Sequence, residues 1–151
     1  MSSTTTAAVR QAIAARITAL GTPWNEASVP FDLHSLAPMP DAIPATRGHG
    51  SFSVGVPRSA VRPGERHQAG VGVRLTTDVV VRFFARLPRA TALTAVDAAL
   101  ALELALIRSL DIGWSQDLTM YLSGIERRSL STGEWMQIDA VFSTTYLVAL
   151  S

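Results

Sequence analysis

Three histidines, His34, His49 and His67, are the residues of this chain best suited to metal binding or general-base chemistry. They stand 15 and 18 residues apart, and these separations match no compact set of metal ligands. The chain contains no cysteine, which excludes disulfides, thiol catalysis and sites in which cysteines hold zinc or iron–sulfur clusters. The sequence therefore predicts no metal site, and we interpret the histidines as exposed loop residues.

Catalytic motifs are missing from the sequence as well. Serine and threonine are plentiful, but no histidine falls in the segments expected to form the core, where a hydrolase triad needs its base. The chain has none of the spacings typical of dinucleotide-binding, P-loop, zinc-protease, α/β-hydrolase or EF-hand sites. We therefore predict a protein that is not an enzyme and that binds no cofactor.

Glu103 is the charged residue that most needs an explanation, because it falls within the apolar arc of a predicted helix. A buried carboxylate must be paired or must reach an edge, since burying it alone is costly. An ion pair within the chain, a contact across a subunit interface and a catalytic acid all remain open. The arginines considered as partners are Arg10, Arg16, Arg82 and Arg86. The arc consists of Ala95, Val96, Ala99, Leu100, Leu102, Leu106, Ile107 and Leu110.

The composition describes a globular protein with few charges. The chain has 151 residues and a formal net charge of +1, and only 17% of its residues are charged. The near-neutral balance weakens any case for a general nucleic-acid or membrane-surface binder, and the low charge fraction suggests that part of the surface meets another protein. All thirteen basic residues are arginine, which suggests a GC-rich bacterial or phage genome. The longest apolar stretch holds three charges, so we expect a soluble protein made in the cytoplasm.

The apolar periodicity predicts an α+β fold in one domain over residues 1–151. It indicates two principal helices, at 4–20 and 93–110, packed on a mainly antiparallel or mixed sheet. Strands are predicted near 70–75, at 78–87 and from 118 to about 128. The last segment alternates from Met136 to Leu150, which is long for a strand, so we expect it either to bend at a bulge or to run past the domain's own sheet.

A long irregular arm is predicted at 34–67, where five of the eight prolines lie. Only 51–56 alternates like a strand, and such a run inside a compact domain is normally functional or disordered. We expect the arm to become ordered against a neighbouring subunit, with Phe52 and Val54 pairing at a sheet edge; a mobile linker is the alternative.

The charges are unevenly distributed along the chain. Residues 34–110 hold nine arginines and five acidic residues, whereas residues 111–151 hold two arginines and five acidic residues. A positive middle and a negative end suit subunits that meet head to tail and close into a ring. An ordinary mixed surface is the alternative interpretation.

The order of elements is similar to that of the tail terminator proteins of long-tailed bacteriophages, the lambda-like minor tail protein family. The resemblance covers nearly the whole chain as a pattern, and its most specific part is the closing hairpin at about 117–150. The residues that carry it are Ile125-Glu126-Arg127-Arg128, Gly133-Glu134-Trp135 and Phe142-Ser143-Thr144-Thr145-Tyr146.

The resemblance implies a structural protein of the virion that forms a homohexameric ring at the neck. Such a ring caps the tail tube, ends tail polymerisation and joins the tail to the head connector or stopper protein. Its expected partners are further copies of itself, the tail-tube protein and the connector, with DNA only passing through the lumen and no membrane contact. The interface residues that we predict are Phe52, Val54, Arg58, Arg62, Arg82, Arg86, Glu103, Arg127, Arg128 and Trp135.

Other functions remain open at this point. Another neck or tail-tube ring component, or a cellular adaptor or secretion-system ring, would have a similar pattern. A small ligand-binding or enzymatic α+β domain is a further alternative, and its pocket would be lined by Glu103, Arg82 and Trp114.

Overall fold

The computed structural model describes residues 3–27, 48–66, 72–88, 92–111, 113–115, 117–130 and 133–149. These residues form an α+β fold in which helices pack on one face of a five-stranded sheet, as the sequence predicts. The helices are α1 (Thr6–Thr18) and α2 (Ala92–Asp111). The strands are β1 (Asn25–Glu26), β2 (Ser51–Arg66), β3 (Val73–Arg86), β4 (Thr119–Ser129) and β5 (Trp135–Val148).

Helix α1 is confirmed, but it is two residues shorter at each end than the predicted 4–20. The side chain of Thr5 accepts a hydrogen bond from the backbone N–H of Ala8 at 3.0 Å, which caps the first turn. Gly21, with φ of +82°, ends the chain's helical path just beyond Thr18. Val9, Ile13 and Ile17, four residues apart, form a buried apolar stripe, whereas Leu20 is 39% exposed beyond the helix end.

The sheet has the order β1-β2-β3-β5-β4. Strands β2, β3, β5 and β4 are antiparallel to their neighbours, and the two-residue β1 adds a short parallel pairing at Ser51 and Phe52. The two strand segments predicted at 70–75 and 78–87 are one continuous strand, β3, which lies at the centre of the sheet.

Strand β5 neither bends at a bulge nor runs past the sheet, so both predicted alternatives are wrong. It pairs with β3 without interruption from Trp135, opposite Arg86, to Val148, opposite Val73. Both strands have 14 residues, and the long partner explains how the long alternating segment stays paired. The irregularity falls in β4 instead, where the register shifts between Leu122 and Gly124.

The predicted arm is shorter than its proline content suggests, because residues 51–66 form strand β2. Two shifts of register, between Gly55 and Arg58 and between Val61 and Arg66, take up the irregular part of this segment. Pro57 and Pro63 fall within these shifts, where a missing backbone donor is tolerated. The rest of the predicted arm, 34–47 and 67, lies outside the described residues.

Helix α2 matches its predicted bounds within one residue at each end, but its buried arc is narrower than the pattern predicts. Ala99, Leu106 and Leu110 are buried, whereas Leu100 is 37% exposed. The difference arises because the helix lies on a single sheet face, so its far side meets solvent. Neither helix in the described part of the chain is long and apolar enough to cross a membrane.

The sheet is covered on one face by the helices and is buried in part on the other. The face that carries the helices holds the main core, which includes Phe52, Phe83, Ile138 and Phe142. The alternate residues of the same strands point to the opposite face, which we call the second face. There a smaller cluster of Phe84, Leu130 and Trp135 packs with Ala27.

Candidate functional site

Glu103 is satisfied within its own chain by Arg127 of β4. The Nε and Nη2 atoms of Arg127 donate to the two carboxylate oxygens of Glu103, each over 2.6 Å. The Glu103 side chain is 8% exposed, whereas that of Arg127 is 45% exposed. The hydrogen bond that Arg127 donates to Glu103 raises the pKa of Arg127, and desolvation opposes this rise in part. The pair fixes α2 over strand β4, and it corrects the sequence analysis, which considers four other arginines as partners.

Arg82 has a different partner on the second face. Its Nε donates to Oδ1 of Asp139 at 2.6 Å, and its Nη2 donates to Oδ2 at 3.1 Å. Gln137 adds a third bond through its Nε2, also to Oδ2 of Asp139 at 3.1 Å. The side chains of Arg82 and Asp139 are 1% and 0% exposed, so this is a fully buried ion pair. Such a pair needs every hydrogen bond it can make, because desolvation of both charges is costly.

The predicted ligand pocket of Glu103, Arg82 and Trp114 does not form. The sheet register puts Arg127, and with it Glu103, on the helix face, whereas Arg82 and Asp139 lie on the second face. Trp114 follows the end of α2, where the guanidinium carbon of Arg16 lies 3.5 Å from the centre of its ring. The three side chains therefore serve three separate contacts.

The C-terminal end of α2 is held by α1. The two terminal nitrogens of the Arg16 guanidinium donate to the carbonyl oxygens of Ser109 and Gly113. The indole nitrogen of Trp114 donates to the carbonyl of Leu110 at 2.6 Å. Arginine near a helix C-terminus satisfies carbonyls that have no partner in the helix and opposes the negative end of its dipole. An apolar groove opens beside this contact, lined in part by Ala8, Ala12, Trp114 and Leu118.

His49 is the one predicted loop histidine that the structure describes; His34 and His67 lie outside the described residues. The side chain is exposed, and its Nδ1 accepts a hydrogen bond from the backbone N–H of Arg86 at 3.0 Å. Within the described part of the chain, no group of three or more histidine, aspartate or glutamate residues is placed to hold a metal ion. His49 is thus a contact between the start of β2 and the end of β3.

The His49 contact predicts a small dependence of stability on pH. Partial burial lowers the pKa of His49, and only the neutral ring can accept the bond from Arg86. The stabilisation is therefore complete above about pH 6.5, the ordinary histidine value, and is lost as the pH falls through the lowered pKa. Melting curves of the His49→Gln variant are expected to show a flatter pH profile than the unsubstituted protein between about pH 7 and pH 5. Identical profiles would contradict this contact.

The predicted interface residues are spread over several environments. The side chains of Phe52, Val54, Arg82, Glu103 and Trp135 are buried, so none of them presents a large surface to a partner in this conformation. Arg58, Arg86 and Arg127 are exposed, and Arg128 is half-buried, whereas the side chain of Arg62 lies outside the description. Participation in an interface stays a prediction for all ten residues.

A set of exposed apolar side chains was missed by the sequence analysis. Tyr121 and Leu122 of β4 are 65% and 40% exposed, and Val61 of β2 is 48% exposed. On α2, Leu93, Leu100 and Leu104 are 85%, 37% and 45% exposed and follow the i, i+7, i+11 spacing of one helix face; we call them the leucine stripe. The signal for the leucine stripe was available in the helical periodicity. A narrower buried arc would have left these three leucines on a separate face of α2.

Comparison of this chain with models of known protein families finds no match, and comparison with curated proteins finds none either. Among solved structures, the chain is similar to a chain of the "Virion of native gene transfer agent (GTA) particle". The sequence identity is 19%, the similarity covers 89% of this chain and 84% of the other, and the TM-score is 0.39. A TM-score this low does not establish a common fold, so function has to be argued from the geometry of this chain.

Proposed function

We propose that this protein is a structural subunit of a phage virion that forms a six-membered ring, and that the ring terminates the tail. It caps the tail tube, ends its polymerisation and joins the tail to the connector of the head. Six subunits and the role of terminator rest on the pattern of the closing hairpin. The ring rests on one structural observation, which is that the described sheet has an open edge at each of its two ends.

The two open edges belong to different strands. Strand β4 is the last strand of the sheet, and the backbone groups on its outer side have no partner strand among the described residues. At the other end, β1 covers only Ser51 and Phe52 of β2, and the part of β2 at 58–61 is exposed. Unpaired edges are templates for pairing with another chain, and proteins that stay monomeric usually protect them.

The strand directions favour a ring. Strands β2, β3, β5 and β4 alternate in direction, and their number is even. When the next copy is related by rotation about an axis along the strands, β4 of one copy therefore meets β2 of the next in antiparallel orientation. Each copy uses two different edges, so the contact is heterologous and can close into a ring.

The register also brings complementary side chains to the same level of both edges. Arg58 of β2 pairs with Asp78, Asp78 with Ser143, and Ser143 with Tyr121 of β4, so these four residues form one row across the sheet. Arg58 and Tyr121 are both exposed. Without a stagger between copies, Tyr121 of one subunit lies beside Arg58 of the next, where a guanidinium can stack on the ring.

Introducing charges at Tyr121 and Arg58 tests the ring. Tyr121→Arg places like charges side by side and is expected to weaken assembly about tenfold, the equivalent of about 1.4 kcal/mol per contact. Adding Arg58→Glu to this variant makes the pair attractive again and is expected to restore assembly. Native mass spectrometry over a range of concentrations measures both effects, and thermal melting checks that each subunit is folded.

Two outcomes contradict the proposal. If the unsubstituted protein stays monomeric at every concentration and is missing from purified tails, the ring is wrong. If rings form but electron microscopy of tails finds copies along the whole tube, the protein is a tube subunit and the role of terminator is wrong.

A further inference from the structure

The leucine stripe of α2 is partly to largely exposed, from 37% at Leu100 to 85% at Leu93. Leu93, Leu100 and Leu104 lie about 60–100° further round the helix from Glu103, at about 100° per residue. Glu103 points to β4 through its pair with Arg127. The stripe is therefore on the side of α2 that overlooks the open β4 edge.

The opposite side of α2 faces α1. Leu102 and Ser109, which lie on that side, are half-buried, and the carbonyl of Ser109 accepts a bond from Arg16 of α1. Burial thus extends further round the helix towards α1 than towards the β4 edge. The two helices lie side by side, with the leucine stripe on the outer flank.

We infer that the leucine stripe docks on the β1 side of a second copy of this chain, so that each ring contact has a helical layer as well as a sheet layer. This inference rests on the proposed ring. When the sheet continues from β4 to the next β2, the element that covers β2 at the level of the Glu103–Arg127 pair is β1. Arg127 lies opposite Ile138, Ile138 opposite Phe83, and Phe83 opposite Phe52, which pairs with Glu26 of β1.

The charges around the two surfaces are complementary. Exposed Asp97 and Arg108 lie beside the leucine stripe, on the side of it away from Glu103. The β1 side presents Arg10 of α1 and Glu26 of β1, which lie 3.7 Å apart with side chains 34% and 39% exposed. An acid and a base on each surface permit a pair between Asp97 and Arg10 or between Arg108 and Glu26, in place of the contact between Arg10 and Glu26. Pairs at the rim select the partner and its register, while the leucines supply the buried area.

Cross-linking between two single-cysteine variants tests this docking, because the natural chain has no cysteine. Leu104→Cys and Asn25→Cys are prepared separately, mixed, and treated with a short bis-maleimide. A covalent dimer is expected in the mixture and in neither variant alone. A dimer of Leu104→Cys with itself would overturn the inference, because it indicates a two-fold contact through the leucine stripe.

Substitution of the leucines gives an independent measurement. The Leu100→Ser/Leu104→Ser variant is expected to melt like the unsubstituted subunit, because both side chains are exposed, and to assemble at least about tenfold more weakly. Ala98→Ser, exposed on the side of α2 away from the leucine stripe, is the matched control and should assemble normally. Unchanged assembly of the leucine variant, or rings that form without the mixed cross-link, would overturn the docking and leave the ring in place. Absence of any ring would instead remove the proposed function and this inference together.

Discussion

Replacing Arg82 with methionine is expected to lower the free energy of unfolding by about 3–5 kcal/mol. The substitution removes both guanidinium bonds to Asp139, whose carboxylate is fully buried and keeps only the bond from Gln137 among those described. A buried charge that loses its counterion retains the whole cost of its desolvation. Urea unfolding followed by circular dichroism at neutral pH measures the change.

Further variants distinguish the loss of the ion pair from the general effect of replacing an arginine. Arg86→Met removes an exposed arginine from the same face of the same strand and should change stability by no more than about 0.5 kcal/mol. The double variant Arg82→Met/Asp139→Leu removes both charges of this pair and is expected to be more stable than Arg82→Met alone. Asp139→Leu is measured alone as well. If the stability loss of the double variant equals the sum of the losses of Arg82→Met and Asp139→Leu, the two side chains are not coupled.

The helix face of the sheet could be predicted from the sequence because its signals are local. Alternation in the last segment correctly assigns Ile138, Ala140, Phe142, Thr144 and Tyr146 to one face, and all five are buried. Threonines before α1 and Gly21 after it act through the hydrogen bonds and backbone angles of neighbouring residues. These features depend on residues that are close in sequence, so the sequence pattern is enough to predict them.

The second face could not be predicted in the same way. The alternating residues Gln137 and Asp139 resemble a solvated face, yet both are completely buried. One signal was available: Arg82 interrupts the apolar run at 79–84, which is typical of a strand buried on both faces. A charge in such a run needs an acid, and Asp139 is the one acidic residue of β5.

The partner of Glu103 depends on which strand α2 covers, and that is a property of the assembled fold. The pattern places Glu103 in a buried arc but says nothing about which strand lies beneath it. Arg127 and Arg128 are neighbours in sequence on opposite faces of β4, and only the register shows that Arg127 faces the helix. The open edges depend on strand order in the same way.

The Arg127→Met variant is expected to unfold about 2–4 kcal/mol more easily at neutral pH than the unsubstituted protein. It leaves the Glu103 carboxylate, 8% exposed, without the guanidinium that satisfies both of its oxygens. The loss should be smaller than for Arg82 because Arg127 is half-exposed and water can reach its side of the pair. Arg128→Met is the matched control; its contact with Glu126 spans 3.8 Å between side chains that are 36% and 53% exposed, and it is expected to contribute no more than about 1 kcal/mol.

Glu103→Gln removes the buried charge of the pair instead of the exposed one, and it completes this test. The amide oxygen of glutamine still accepts one bond, and Arg127 can turn towards solvent, so the expected loss is only about 1 kcal/mol. Because both partners belong to one chain, the losses must show in the melting of the isolated subunit. Normal melting of Arg127→Met, with a defect only in assembly, would instead mean that Glu103 takes its partner from a neighbouring copy.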